Sequence, residues 1–560
     1  MIFYDFEVLP GLWLVVLADA DTKAFTTILN NKAELHKFYE NHKNDIWVGY
    51  NSRNYDQFIL KSILQDFDPY EVSKFIIDQG RKGWEYSNAF SKIQLFNYDV
   101  MTSFHGLKQL EGFMGNDIRE SSVAFDTVGM PSKEQLDELV AYCAHDVSQT
   151  IEVFCNRIEE FNSQMSLVKA FKLPLECISK TKPQLSAVIL GAIRQKDKKD
   201  EFNISMPETL RIAKYKHIRE WYENPLNRDY EKELVTDVAG VLHTFAWGGL
   251  HGAINKYNGE GIFISCDVAS LYPALMIEYN YLSRNVSEPE LFRSIRDTRL
   301  KLKAEKSLMQ APYKIVLNST YGAMKDQYNS LYDPLMANNV CIAGQLLLLD
   351  LIEKLEPFGQ LIQSNTDGVI FKVDSQHRIE QMKQTAGEWE KRTRLKLEWE
   401  CFNRIYQKDV NNYITIHNDG SYKSKGAYVK ELNDLDNDLP IVNKALVAYF
   451  INGIPVEKTI RSCKELKMFQ KISKVSNKYA CAMHGDKVLR EKVLRTFASR
   501  SRSDAGVFKV KLNGAKAKIE NTPERCFIQN NNINDMPIPR RLDVDWYIGV
   551  AKKRLGDFIV

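Results

Sequence analysis

Carboxylates stand in short, chemically suggestive contexts at two places in this sequence. Near the start are Asp5-Phe6-Glu7, then Asp56 after Asn51, then Tyr142-x-x-x-Asp146. The later group opens with Asp267-Val268-Ala269-Ser270-Leu271-Tyr272-Pro273 and closes with Asn365-Thr366-Asp367-Gly368. Residues two apart on a strand share a face, so Asp5 and Glu7 would present their carboxylates side by side. Like charges so close repel unless a cation neutralises them, and hard divalent ions with oxygen ligands resolve the conflict. Two such groups point to two metal centres, an arrangement suited to moving a phosphoryl group. Between the two aspartate strings, Lys314, Asn318 and Tyr321 fall at i, i+4 and i+7, one face of a helix. Tyr142 and Asp146, four apart on a helix, could reach one phosphate together. Singly, most of these patterns also read as a solvated strand face or an amphipathic helix. The string Asp-x-x-Ser-Leu-Tyr-Pro is the most specific of them.

The elements that would carry these residues are partly legible. Residues 1–165 alternate apolar strands with helical patterns, an α/β signature, and a long helix is expected over 134–161. A strand over 261–267 ends at Asp267, and 361–371 reads as a hairpin whose Asp-Gly turn holds Asp367. Trp247-Gly248-Gly249 is a place where backbone can approach a ligand closely. A basic helix over 293–306 carries Arg299 and Lys303 and leads to Lys314, whose own helix Gly322 can end. From about 440 onward the chain reads as helical and basic, with Lys487, Arg490, Lys492, Arg495, Arg500, Arg502, Lys509, Lys511, Lys516 and Lys518.

Bulk properties narrow the class. A chain of 560 residues exceeds one hydrophobic core and suggests about four units. With 44% hydrophobic and 26% charged residues it is an ordinary globular composition. A net charge of +3 means that any nucleic-acid surface is a local patch. Nine scattered cysteines without a CxxC pair fit a reducing, cytoplasmic setting. Met1 leads directly into a strand pattern, so no signal peptide is expected, and no uncharged apolar run approaches the ~20 residues that would cross a bilayer. A soluble protein with no membrane partner is expected.

In this order the motifs resemble a family B DNA polymerase of the bacteriophage type, from residue 1 to at least residue 430. The resemblance implies an α/β and α+β multidomain fold: an RNase H-like 3′–5′ exonuclease domain (1–165), then a connecting region (166–250). A right-hand polymerase would follow, with palm (251–280 and 323–435), short fingers (281–322), and thumb with C-terminal helices (436–560). It further implies that Asp5, Glu7, Asp56 and Asp146 are metal-linked carboxylates, that Tyr142 orients the attacking water, and that Asn51 holds the primer strand. Asp267 and Asp367, with the Val268 carbonyl, would bind the polymerase metals, and Tyr272 would exclude a 2′-hydroxyl. Lys314 would contact the triphosphate, with Asn318 and Tyr321 near the nascent base pair and Arg299 and Lys303 completing a cation clamp. Gly248, Gly249, Tyr413, Lys425 and Gly426 would contact DNA. The segment 106–111 also resembles phage members and reads as scaffold.

The implied cofactors are Mg²⁺, or Mn²⁺ in its place, two ions at each site. The implied partners are primer–template DNA, dNTPs and single-stranded DNA, with helper replication proteins, for a monomer in the cytoplasm of an infected bacterial host. Two departures matter. Asn365 stands where the family usually has an aspartate, and Asn411 occupies the lysine slot beside Tyr413, leaving Lys408, Lys423 and Lys425 as sources of that charge. The intervals from Asp267 to Lys314 and from Asn318 to Asp367 leave no room for the insertions of protein-primed relatives. A compact enzyme using an ordinary nucleic-acid primer, of modest processivity, is the expectation. The alternatives are an exonuclease with an inactive polymerase half, and a non-catalytic DNA-binding replication factor.

Overall fold

The structure, a computed structural model, describes residues 1–559 apart from 103, 124–126, 128, 130, 197 and 437. Two compact units divide the chain, each drawn from separated stretches. The first takes Met1–Lys180, Leu432–Ile441 and Ile460–Tyr547; the second takes Thr181–Glu431, Val442–Thr459 and the residues from Ile548 onward. The architecture is mixed α/β and multidomain.

In the first unit, β1 (Ile2–Leu9) folds back onto β2 (Leu12–Asp19), with Leu9 opposite Leu12. Gly11 takes the left-handed turn position at φ 76°, which glycine adopts without strain. β3 (Phe25–Leu29) extends the sheet beyond β2, while β4 (Ile46–Gly49) and β5 (Phe96–Asp99) add in parallel on the other side, giving the order β3-β2-β1-β4-β5. The period of two sorts β1 into two faces. Ile2, Tyr4, Phe6 and Val8 enter one core with Trp47 and Ile59, whereas Phe3 joins another with Leu139, Cys143 and Val147 of the helix Lys133–Asn156. Asp5 and Glu7 therefore lie on the face turned toward that helix. Ser132 and Gln135 begin it with reciprocal capping bonds. The single helix expected over 134–161 is two, Lys133–Asn156 and Ile158–Ala170, broken at Arg157, whose guanidinium donates to the Val100 carbonyl at 2.8 Å.

The basic stretch after 440 corrects the sequence reading most. Helices occur at Pro440–Asn452, Val456–Ser462 and Val544–Leu555, but 471–528 is built of strands in a three-stranded and a four-stranded sheet. The pairs Lys509/Lys511 and Lys516/Lys518 are two apart, which is strand spacing, and the weight of charge hid it. Lys509, Lys516 and Lys518 are ion-paired with Glu520, Asp486 and Glu524. Arg495 is not a surface cation at all. It is fully buried in the strand Val493–Ala498, and its guanidinium donates to the carbonyls of Glu111, Gly112, Asn116, Gln529 and Asn531. Burial lowers its pKa to about 10, still far above neutrality. Arg495 thus closes the C-terminal end of the helix Leu107–Met114, where Gly115 at φ 84° is the left-handed cap. Tyr547 near the end packs inside, with its hydroxyl donating to the Phe469 carbonyl at 2.7 Å.

The second unit is organised by a nine-stranded sheet. Its strands are β6 (Glu233–Val238), β7 (Val241–Ala246), β8 (Leu250–Ala253), β9 (Tyr257–Val268), β10 (Gln360–Ser364), β11 (Gly368–Val373), β12 (Leu397–Asp409), β13 (Asn412–Ile416) and β14 (Tyr422–Lys425). They run in the order β14-β13-β12-β9-β11-β10-β8-β7-β6. The hairpin expected over 361–371 forms as β10–β11. The helix Pro334–Leu355 packs beside the helix Leu271–Glu278 and is buried along nearly its whole length. Among the described residues it belongs to one span, Pro334–Phe358, that is long and apolar enough to cross a membrane by length and composition, although Asp350, Glu353, Lys354 and Glu356 interrupt it. Its apolar window is 94% buried within the protein, as a core helix would be.

Arg495→Met should leave several buried carbonyls without a donor. A loss of about 3 kcal/mol, read by chemical unfolding of the full chain, is the expected outcome.

Candidate active sites

The first carboxylate cluster lies in the first unit. Asp5 and Glu7 come from β1, Asp56 opens the helix Asp56–Leu64, and Tyr142 and Asp146 sit one turn apart on the helix Lys133–Asn156. Asp56 is fixed by a bond from the Phe6 backbone N–H at 3.1 Å. Together with Tyr50 and Asn51 these residues line a cavity of about 400 Å³. Asn51 holds a left-handed conformation at φ 59°, with its N–H on Asp99 at 2.9 Å. Ligand atoms of Asp5, Glu7 and Cys143 all lie within 4.8 Å of one another, and so do those of Glu111, His145 and Asp146.

The electrostatics are unfavourable as they stand. Burial raises the pKa of Asp5 well above the usual range, and the charges of Asp56, Glu7 and Asp146 raise it further. Glu7 is raised by burial and then by Asp146; Asp56 is pushed up to about 7, chiefly by burial. Burial also raises Asp146, opposed by Lys108. That lysine was missed: its segment had read as scaffold. Lys108 bonds Asp146 closely, lies 3.1 Å from Glu111 Oε1, and sits 4.5 Å from the Tyr142 ring centroid. Its helical spacing to Glu111 (i, i+3) is visible in sequence, but its reach to Asp146 comes only from the fold. The four carboxylates, with Cys143 and His145 beside them, make a mainly oxygen donor set that fits hard divalent ions.

The second cluster is set by strand register. Gly368 of β11 pairs with Asp267 of β9, and the Val268 N–H donates to the Asp367 carbonyl at 2.7 Å, so the two aspartates meet at the ends of adjacent strands. A Cβ at position 368 would lie 1.7 Å from Asp267 Oδ1, which is why glycine follows Asp367. Ser265 Oγ donates to Asp267 at 2.9 Å. Partial desolvation raises the pKa of Asp267, the Ser265 bond lowers it, and the charge of Asp367 raises it again. Asn365 spends its side-chain oxygen inside the turn, accepting the Thr366 N–H at 2.8 Å. An amide oxygen serves that purpose as well as a carboxylate.

Around this pair, Ser270 adopts a left-handed conformation at φ 50° and its Oγ accepts from the Arg299 guanidinium at 2.9 Å. Arg299 is buried, and its Nε has no partner among the described residues. Lys303 reaches Glu398 at 3.3 Å. Lys314 and Asn318 are exposed on the helix Gln310–Lys325, which runs through Gly322 rather than ending there. Tyr321 packs tilted against Tyr272, with ring centroids 4.3 Å apart and 49° between the planes. Tyr413 of β13 faces Lys425 of β14, and Gly426 at φ 96° follows, where a Cβ would meet the Asn411 carbonyl at 2.0 Å. Lys408 and Lys423 are paired with Asp409 and Glu400. Gly248 and Gly249 form the turn between β7 and β8, beside the buried Trp247.

No protein-family model matches the sequence. The chain is similar to DNA polymerase 1 of Aeropyrum pernix, 23% identical over 352 residues that make up 54% of this chain and 34% of the relative. The match thus spans about a third of that relative's length. Among solved structures, the family B DNA polymerase from the hyperthermophilic archaeon Pyrobaculum calidifontis aligns with 15% identity and a TM-score of 0.43, over 100% of this chain and 77% of that one. Both are archaeal, whereas the sequence motifs had suggested a bacteriophage type.

The raised carboxylates carry a signed consequence. Folding takes up protons between the unfolded value near 4 and the folded value of Asp56 near 7. That contribution to stability is full at low pH and is lost as pH rises through about 7. In EDTA the Tm should therefore fall between pH 5 and pH 8, Mg²⁺ should restore more of it at pH 8 than at pH 5, and Asp56→Asn should flatten the slope.

Proposed function

We propose that this chain is a template-directed DNA polymerase that extends a primer with dNTPs and edits it with a 3′–5′ exonuclease. The observation that carries the reading is the meeting of Asp267 and Asp367 on paired strands, with Gly368 leaving room for both. It is supported by a second, separate carboxylate cluster around Asp5, Glu7, Asp56 and Asp146, and by the similarity to DNA polymerase 1.

Divalent ions, when bound, supply Lewis acidity toward the phosphates and activate the attacking oxygen. The residues of the second cluster do the positioning that phosphoryl transfer asks for. Asp267, Asp367 and the Val268 carbonyl would hold Mg²⁺ or Mn²⁺. Tyr272, braced by Tyr321, would underlie the incoming sugar, and Lys314 with Arg299 or Lys303 would take the charge of the departing pyrophosphate. Asn318 would lie by the nascent pair. Tyr413, Lys425, Gly426, Gly248 and Gly249 would track the primer–template; Lys425 is the best source of the charge missing at Asn411, since it stands opposite Tyr413. In the first cluster, Tyr142 would orient water and Asn51 would grip the single-stranded 3′ end. The motif strings support a compact bacteriophage-type enzyme, working as a monomer in the host cytoplasm with helper replication proteins.

A 5′-labelled primer–template with Mg²⁺ tests the reading: extension with dNTPs, shortening without. Asp267→Ala should abolish extension and keep shortening, and Asp5→Ala should do the reverse. Shortening in both lanes with the parent chain would instead mean a nuclease with an idle second site. Gly368→Ala should cut extension at least about a hundredfold, because it displaces Asp267 by a large fraction of an ångström or more.

A further inference from the structure

We propose that Lys108 is an internal counter-ion of the first cluster that stands on Asp146 until DNA arrives, so that the second metal and the substrate enter together. This rests on the exonuclease reading of that cluster. Three observations lead to it.

Lys108 spans two carboxylates, Asp146 and Glu111, with its side chain only 16% exposed. An Asp146 oxygen that holds an ammonium group is not open to a divalent ion, so Lys108 and metal compete for it. Glu111 gives Lys108 somewhere to stay when it lets go. That carboxylate is wholly buried; its Oε1 takes Lys108 at 3.1 Å and His145 at 3.6 Å, and its Oε2 has no partner among the described residues. Burying a charge without a partner is costly, so the Lys108–Glu111 pair persists in either state.

The charges then balance. Lys108 and Glu111 cancel each other, as do Lys74 and Asp78 in the cavity lining, leaving Asp5, Glu7, Asp56 and Asp146 to match two divalent ions. The ammonium group lies against the ring of Tyr142, which lines the cavity, so that once released from Asp146 it would meet a DNA phosphate bound there. Lys108 is a positioning residue in this scheme. The helix that carries it cannot drift, because Arg495 holds its last carbonyls and Gly112 packs so tightly on Ile472 that an added Cβ would lie 2.8 Å from it.

The test uses the full chain with Asp267→Ala and Asp367→Ala, which silence the second cluster. Mn²⁺ titration calorimetry without DNA should show Lys108→Met binding the ion about tenfold more tightly than its parent, since a competing charge is gone. Lys108→Arg should stay within about twofold of the parent, and Glu111→Gln should bind more weakly, because Lys108 then leans wholly on Asp146. Fluorescence anisotropy with oligothymidylate in EDTA should show Lys108→Met weakened about fivefold or more. Mn²⁺ binding to Lys108→Met that is equal to or weaker than the parent's overturns the proposal; a merely structural lysine would give that result. Shortening of DNA by the wild-type chain is read separately, so failure of the exonuclease reading is told apart from failure of this one.

Discussion

Like charges held together by a rigid backbone are the constraint on which the rest of this protein depends. β1 places Asp5 and Glu7 two residues apart on one face, and the pairing of β9 with β11 sets Asp267 beside Asp367. Neither strand can turn its carboxylates away without also turning its apolar residues out of the core. Repulsion is therefore built in, and it adds to burial, the larger cause, in raising the pKa of Asp5, Glu7, Asp56 and Asp267. Cations resolve it. At the first cluster Lys108 supplies one, and the carboxylates that remain at both clusters are of the kind that hard divalent ions match.

Much of the surrounding structure reads as a means of maintaining that constraint. The nine-stranded sheet fixes the register of Asp267, and Gly368 is small because the aspartate fills the space where its side chain would be. Ser270 accepts a strained backbone to join the end of β9 to the helix Leu271–Glu278, and the buried Arg299 is tied to its hydroxyl. In the first unit, Arg495 spends a buried guanidinium on holding the short helix that carries Lys108 and Glu111. Residues far along the chain thus serve a site assembled at its start.

The sequence revealed the clusters better than their surroundings. Asp-x-Glu on an apolar strand and Asp-Gly between two apolar runs carry their geometry locally, through the period of two and through turn chemistry, so β1 and the β10–β11 hairpin were legible. Lys108 was not, because its partner Asp146 lies far along the chain and no local pattern links them. Arg495 was misread for a similar reason: a count of basic residues cannot distinguish a solvated side chain from one that caps carbonyls inside a core. The strands of 471–528 were hidden by the same charge, although the Lys509/Lys511 and Lys516/Lys518 spacing held the signal. Asn365 looked like a defect in sequence and proves to complete a turn.

Anomalous diffraction from crystals soaked in Mn²⁺ would test the central claim most directly. The account predicts peaks within bonding distance of the Asp5, Glu7, Asp56 and Asp146 carboxylates and, separately, between Asp267 and Asp367. Density absent from both places, or confined to surface acids elsewhere, would contradict it.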